Sequence, residues 1–249
     1  MSILSRLFAR KPEPEIVIPP LAPDQPFFVI GDVHGRHDLL TALLPKLRAH
    51  DPSAQILCVG DYVDRGEESA QVLTHLQAES ERRVICLIGN HEAMLLDFLD
   101  HPERAGERWL RHGGLQTLFS YGVRGVSAGA KGGDLIAARD QLRDAMGPNL
   151  IDWLRALPHH WASGNVDVVH AGADPSAPIA QQSRDTLIWG HADFMRHPRR
   201  DGRWVVHGHT ITDSPTIRQG RIATDTGAYA TGRLTAAYIR TGDAEFLQA

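Results

Sequence analysis

The chain has 249 residues, 42% of them hydrophobic and 22% charged, enough for a sizeable core in one large domain or a domain with a cap. A net charge of −4 from 26 basic and 30 acidic residues argues against a nucleic-acid-binding surface, and two cysteines argue against a disulfide framework. No apolar run reaches the length of a transmembrane helix, so a cytoplasmic protein without stable membrane association is expected.

Residues 1–25 read as a flexible tail leading into a Pro-rich spacer. The first apolar stretch is too short for a secretory signal and no A-x-A-like site follows it. A short basic helix touching a membrane surface is the weaker alternative. The domain proper is expected over 26–249. It opens with three short apolar runs, 27–30, 55–59 and 84–88, each ending at a glycine, as buried parallel strands do. Between them lie helical faces, one made by Leu39, Leu40, Leu43, Leu44 and Leu47 and another by Val72, Leu73 and Leu76. Pro45 should kink or restart the first helix. Asp32 to Asp61 and Asp61 to Asn90 are each 29 residues apart, about one β-α-β unit of roughly 30 residues. Residues from about 93 to 160 read as a helical insertion containing a mobile loop, "GVRGVSAGAKGG" (122–133). That loop lacks the Gly-Lys-Ser/Thr of a P-loop. Strands return in "VDVVHAG" (166–172), "WVVHGHT" (204–210), "RIATDTG" (221–227) and "LTAAYIR" (234–240).

The strand ends collect Asp32, His34, Asp61, Asp64, Arg65, Asn90, His91, His170, His207 and His209. In open α/β sheets, functional groups gather beyond the carboxyl ends of strands, and glycines there let chain and ligand approach closely. One Asp or His at a strand end is usually a cap or turn residue, but five Gly-flanked strand ends share a cause. A strand alternates faces, so Asp32 and His34, two apart, can point the same way, whereas the adjacent Asn90 and His91 should diverge. Three carboxylates at one sheet edge repel unless cations neutralise them. Mixed Asp, His and Asn donors suit first-row ions, and six candidates exceed one tetrahedral site, so two ions are expected.

The ordered set GDVHG, GDYVDRG, GNHE, HAG and GHT resembles the metallophosphoesterase (calcineurin-like) superfamily, in particular the small bacterial and phage serine/threonine phosphoprotein phosphatases. "WLRHGGLQTLFSYG" and "LRALP" resemble the helical segment of the bacterial members. The resemblance implies an α/β fold, a four-layer α-β-β-α sandwich. It implies two divalent ions, manganese first with iron or zinc as alternatives, held by Asp32, His34, Asp61, Asn90, His170 and His209, with Asp61 shared. His91 would be the general acid, Asp64 would orient it, and Arg65 would hold the phosphate while a metal-activated hydroxide attacks in line. Spacing alone does not choose between His207 and His209; the motif match favours His209.

One departure concerns a second phosphate-holding arginine that bacterial members carry in a Leu-x-Trp-x-Arg-like segment. Here "TLIWGHADF" puts His191 in that place, with Arg184 and Arg196 as alternatives. The expected substrates are a phosphoprotein, through phosphoserine or phosphothreonine, or a small phosphate ester. The competing enzyme reading is hydrolysis of diadenosine tetraphosphate by a branch usually marked by GNHD and lacking the second Asp of GDYVDRG. Glu92 and Asp64 stand against it. A binding module without turnover is disfavoured by the intact ligand set and His91.

Overall fold

The computed structural model describes residues 17–249, so most of the expected N-terminal tail lies outside the described residues. Three strands, β1 (Phe27–Ile30), β2 (Gln55–Cys58) and β3 (Val84–Cys86), pair in parallel as their uninterrupted apolar runs require. Each is followed by a crossover or insertion that begins in a helix, α1 (His37–His50), α2 (Ser69–Ser80) and α3 (Asn90–Asp100). Two late strands, β9 (Thr235–Arg240) and β10 (Asp243–Gln248), complete this sheet antiparallel, in the order β10-β9-β1-β2-β3. The second sheet runs β4-β5-β6-β8-β7. Its inner strands β5 (Val166–Val169), β6 (Trp204–His207) and β8 (Arg221–Ala223) are parallel, and its short edges β4 (His160–Ser163) and β7 (Thr216–Arg218) are antiparallel. The edge strands β4 and β7 and the terminal β10 are not evident in the sequence pattern.

Strand alternation sorts the side chains into layers. Phe27, Val29, Leu57 and Leu87 face Val166, Val168, Val206 and Ile222 between the two sheets. Phe28, Ile30, Ile56 and Cys58 turn the other way, onto the leucine face of α1 and Val72, Leu73 and Leu76 of α2. Leu40, Leu43, Leu44 and Leu47 are buried there, each contributing about 1.5–3 kcal/mol by leaving water. The fourth layer is thin. It consists of α8 (Arg184–Trp189) and flanking loops, whose Ile179, Leu187 and Phe194 cover Val169 and Val205.

Helix α1 runs through Pro45 as one element, so of the expected kink or restart the restart does not occur. Pro45 sits on its exposed face, so the Thr41 carbonyl that loses an N–H partner lies on the solvent side. The end of the spacer is anchored rather than free. Leu21 is buried, the Leu21 carbonyl accepts the Gly242 N–H at 2.7 Å, and the Asn165 amide bonds both Ala22 N (2.7 Å) and the Pro20 carbonyl (2.9 Å). Between β3 and β4 the chain is helical, with α4 (Pro102–Trp109), a π turn (Leu110–Gly114), α5 (Leu115–Ser120), α6 (Gly133–Met146) and α7 (Pro148–Ala156). The loop between α5 and α6 is pinned at Val123 and Ala130, both buried in the main core. No helix among the described residues is long and apolar enough to cross a membrane.

Candidate metal centre

The loops leaving β1, β2, β3, β5 and β6 converge at one edge of the two sheets. They close on each other at glycines. A Cβ on Gly35 would lie 2.7 Å from the Gly66 carbonyl carbon, and one on Gly60 would lie 2.5 Å from the Gly89 nitrogen, so both pairs of loops need bare backbone. Between the glycines the polar residues take a costly conformation. Of the seven non-glycine residues with positive φ among the described residues, five are His34 (44°), Asp61 (54°), Asp64 (71°), Arg65 (68°) and His209 (63°). Left-handed backbone outside glycine costs about 1–3 kcal/mol and persists where surrounding structure enforces it. The concentration of that strain in five candidate functional residues marks this edge as the site.

Asp61 is at its centre. Its Oδ2 lies 3.6 Å from His34 Nε2 and 3.8 Å from His91 Nε2, and its Oδ1 lies 3.3 Å from His170 Nε2. Two groups able to hold a metal ion share it, one of His34, Asp61 and His91 and the other of Asp61, His170 and His209. The Asn90 side-chain oxygen joins the second group, 2.9 Å from His170 Nε2 and 2.8 Å from His209 Nδ1. Asp32 adjoins the second group, both its oxygens accepting the His209 backbone N–H with N···O distances of 3.1 Å. It does not share a strand face with His34. Strand β1 stops at Ile30, and the left-handed turn at His34 brings its ring round.

The donors fit a cation. His34 Nε2 is buried, has no hydrogen-bond partner and faces a carboxylate oxygen. Burial pushes the His34 ring down to about 3 and the His209 ring down to about 4, which leaves both imidazoles neutral at pH 7, the form that ligates. Burial and the charges of Asp225 and Asp61 push Asp32 well above the usual carboxylate range, a repulsion that positive charge would relieve.

Asn90 and His91 open α3 and diverge, because successive helix residues point about 100° apart. While Asn90 turns to the second group, His91 Nδ1 meets Asp64 Oδ2 at 2.6 Å and leaves Nε2 towards Asp61. Burial disfavours charge on this ring, but the Asp61 charge and the Asp64 hydrogen bond outweigh it and hold His91 above its ordinary value. The Arg65 guanidinium lies 3.2 Å from His91 Nε2 and, on its other side, 4.9 Å from the centre of the Tyr229 ring. His207 points elsewhere. Its ring packs edge-on against Phe194 at 4.9 Å and its Nδ1 faces the Gly208 carbonyl at 3.0 Å.

Three candidates are not brought to this cluster by any hydrogen bond or ion pair among the described residues. His191 lines a cavity of about 820 Å³ with Asp174, Asp193 and His197. Arg184 lines another with Arg108 and Trp189, and Arg196 hydrogen-bonds through its backbone N–H to Asp193.

The sequence reading used Glu92 only as a branch marker and missed its structural role, and other residues escaped it altogether. Glu92, fully buried, accepts the backbone N–H groups of Asp61 (2.8 Å), Tyr62 (2.7 Å), Val63 (3.2 Å) and Gly89 (3.0 Å), tying the β2 and β3 loops together. Its position in the first turn of α3 was the available signal, since a glutamate there reaches back to the helix cap. Asp225, buried beside Asp32, is held by the Gly227 N–H at 2.8 Å. Trp109, Thr117 and Ser69 surround Asp64. Glu92→Gln should lower the unfolding free energy in chelator by about 2–4 kcal/mol, because an amide oxygen can replace only part of a four-donor acceptor. Urea unfolding of the metal-free protein checks this, and an unchanged midpoint would refute the strut.

A double-sheet α/β sandwich with shared carboxylate and imidazole donors at the loop edge defines a metallophosphoesterase. The chain belongs to the calcineurin-like phosphoesterase family, which it matches over residues 25–213. It is 37% identical over 223 residues to serine/threonine-protein phosphatase 2 of Escherichia coli, covering 84% of this chain and 90% of that protein. It is 26% identical over 231 residues to the asymmetrical bis(5'-nucleosyl)-tetraphosphatase PrpE of Bacillus velezensis, covering 83% and 86%. Among solved structures, a putative diadenosine tetraphosphatase superposes with a TM-score of 0.65 at 20% identity, over 92% of this chain and 96% of that one.

Proposed function

We propose that this chain is a metal-dependent phosphomonoesterase acting on phosphoserine or phosphothreonine in proteins. The observation that carries the reading is the shared position of Asp61 between two ligand groups, with the His91–Asp64 pair and Arg65 alongside. In this reading Asp32 joins His34 and Asp61 of the first group around one divalent first-row ion, His91 of that group serving as proton donor rather than ligand, and Asp61, Asn90, His170 and His209 hold the second. Manganese is the first choice of metal. Bound ions supply Lewis acidity to the phosphoryl group and an acidified water. Arg65 binds phosphate oxygens through its planar fork of donors, held against Tyr229. His91 gives a proton from Nε2 to the departing alkoxide while Asp64 keeps Nδ1 occupied and the ring oriented. The buried, unpaired Cys58 and Cys86 accord with a reducing, cytoplasmic setting.

Relatives carry both phosphatase and tetraphosphatase names, so the substrate class is decided by experiment. Manganese-reconstituted protein should turn over phosphoserine and phosphothreonine peptides in preference to diadenosine tetraphosphate in a side-by-side assay. Preference for the dinucleotide would transfer the assignment to nucleotide hydrolysis. Within the site, His209→Ala should cost one of two bound ions while His207→Ala keeps both, because the His207 ring lies against Phe194. Metal titration of the two variants decides it, and the reverse order would exchange their roles.

A further inference from the structure

Asp64 is fully buried and, among the described residues, carries no arginine or lysine partner; neutral donors and one imidazole hold it. His91 Nδ1 meets Oδ2 at 2.6 Å, and the Thr117 hydroxyl donates to Oδ1 at 2.6 Å. The Trp109 indole N–H donates to both oxygens, 3.1 Å from each. A donor shared equally between the two oxygens lies near the bisector of the carboxylate and so opposes its rotation. Such bonds to an ionised acceptor are stronger than neutral ones.

The sequence around Trp109 is built for this. The indole is fully buried and stacks on Phe98 with ring centres 4.5 Å apart and planes 28° apart. The chain then widens into the π turn, and a Cβ on Gly114 would lie 2.5 Å from the indole, so only bare backbone can cover that face. The neighbouring Gly113 carbonyl accepts the Arg65 N–H at 3.4 Å. The helical insertion thus touches both Asp64 and Arg65.

We propose that Trp109 is a positioning residue for proton transfer to the leaving group: its indole N–H fixes Asp64, and Asp64 fixes His91. The inference rests on His91 being the proton donor of the proposed reaction. A core tryptophan with no such role would matter only through its bulk and its stack on Phe98.

The test removes the N–H and keeps the ring. In manganese-loaded Trp109→Phe, kcat on a phosphoserine peptide should fall about 10- to 100-fold, the scale of losing a hydrogen bond to a charged group. On an aryl phosphate with an acidic leaving group the fall should stay below about threefold, with KM and metal content unchanged on both. Should the phenylalanine variant fail to fold, a β-(3-benzothienyl)alanine at position 109 keeps the indole's size without its N–H. In diamagnetic zinc-loaded protein the downfield proton resonance of His91 Nδ1–H provides a readout independent of turnover, and it should shift or broaden in the variant. Equal losses on both substrates, or wild-type kinetics with an unmoved resonance, would overturn the inference. His91→Asn run in parallel separates the two claims. If that variant collapses on the peptide alone while Trp109→Phe stays like wild type, only the role of Trp109 is lost. If His91→Asn shows no dependence on leaving group, the proton-donor reading falls and this inference falls with it.

Discussion

Asp61→Asn should reduce turnover by about 10³-fold or more and leave fewer than two ions bound per chain. Among the described residues the carboxylate is the one group common to both candidate ligand sets, 3.6 Å from His34 Nε2 through one oxygen and 3.3 Å from His170 Nε2 through the other. Lewis-acid assistance is worth several kcal/mol, and about 4 kcal/mol corresponds to roughly three powers of ten. Asparagine is well suited to the substitution, because it tolerates the left-handed backbone that Asp61 adopts at φ 54°. The amide keeps an oxygen for the His91 N–H, which Asp61 accepts at 3.0 Å. Elemental analysis after manganese reconstitution and dialysis should find two equivalents in the parent protein. A parent protein fully active in excess chelator, or an Asp61→Asn variant that keeps both ions and its rate, would contradict the arrangement.

His91→Asn should retain both ions and lose about 10²- to 10⁴-fold on phosphoserine peptides, the usual range for general acid catalysis. Its imidazole is aimed by Asp64 at 2.6 Å, and its Nε2 lies 3.8 Å from the Asp61 carboxylate and 3.2 Å from the Arg65 guanidinium. An aryl ester whose leaving group needs little protonation should be hydrolysed with a smaller loss. A plot of rate against leaving-group pKa for parent and variant measures this, and parallel lines would remove His91 from proton transfer.

The parts of the molecule legible in the sequence are those where local pattern and global structure agree. Apolar runs ending in glycine marked β1, β2 and β3, and leucine spacing marked the buried face of α1. The glycines also pointed to where the loops would meet. What escaped is non-local or locally irregular. Trp109 and Thr117 reach Asp64 across 45 and 53 residues, and no periodicity connects them. Strand alternation suggested that Asp32 and His34 share a face, yet both lie beyond β1, and a left-handed residue sets their directions. Strands β4 and β7 are three or four residues long and partly or wholly exposed, so they lack the apolar run that marks an interior strand. His191 occupies the expected place in the chain, but local order along the chain did not dictate its neighbours, which are Asp174, Asp193 and His197.

The second candidate ligand group straddles the interface between the sheets. His34, Asp61 and Asn90 follow strands of the first sheet, and His170 and His209 follow strands of the second. An ion held by that group would bind only when the two sheets are docked, so supply of the ion and survival of the polypeptide would be thermodynamically linked. At a free ion concentration one hundred times the dissociation constant, the native state gains about 2.7 kcal/mol over the unfolded chain. In a metal-starved cell the same gene, transcribed and translated at the same rate, would then yield a protein that opens more often and meets proteases sooner. Abundance as well as activity would follow the metal supply.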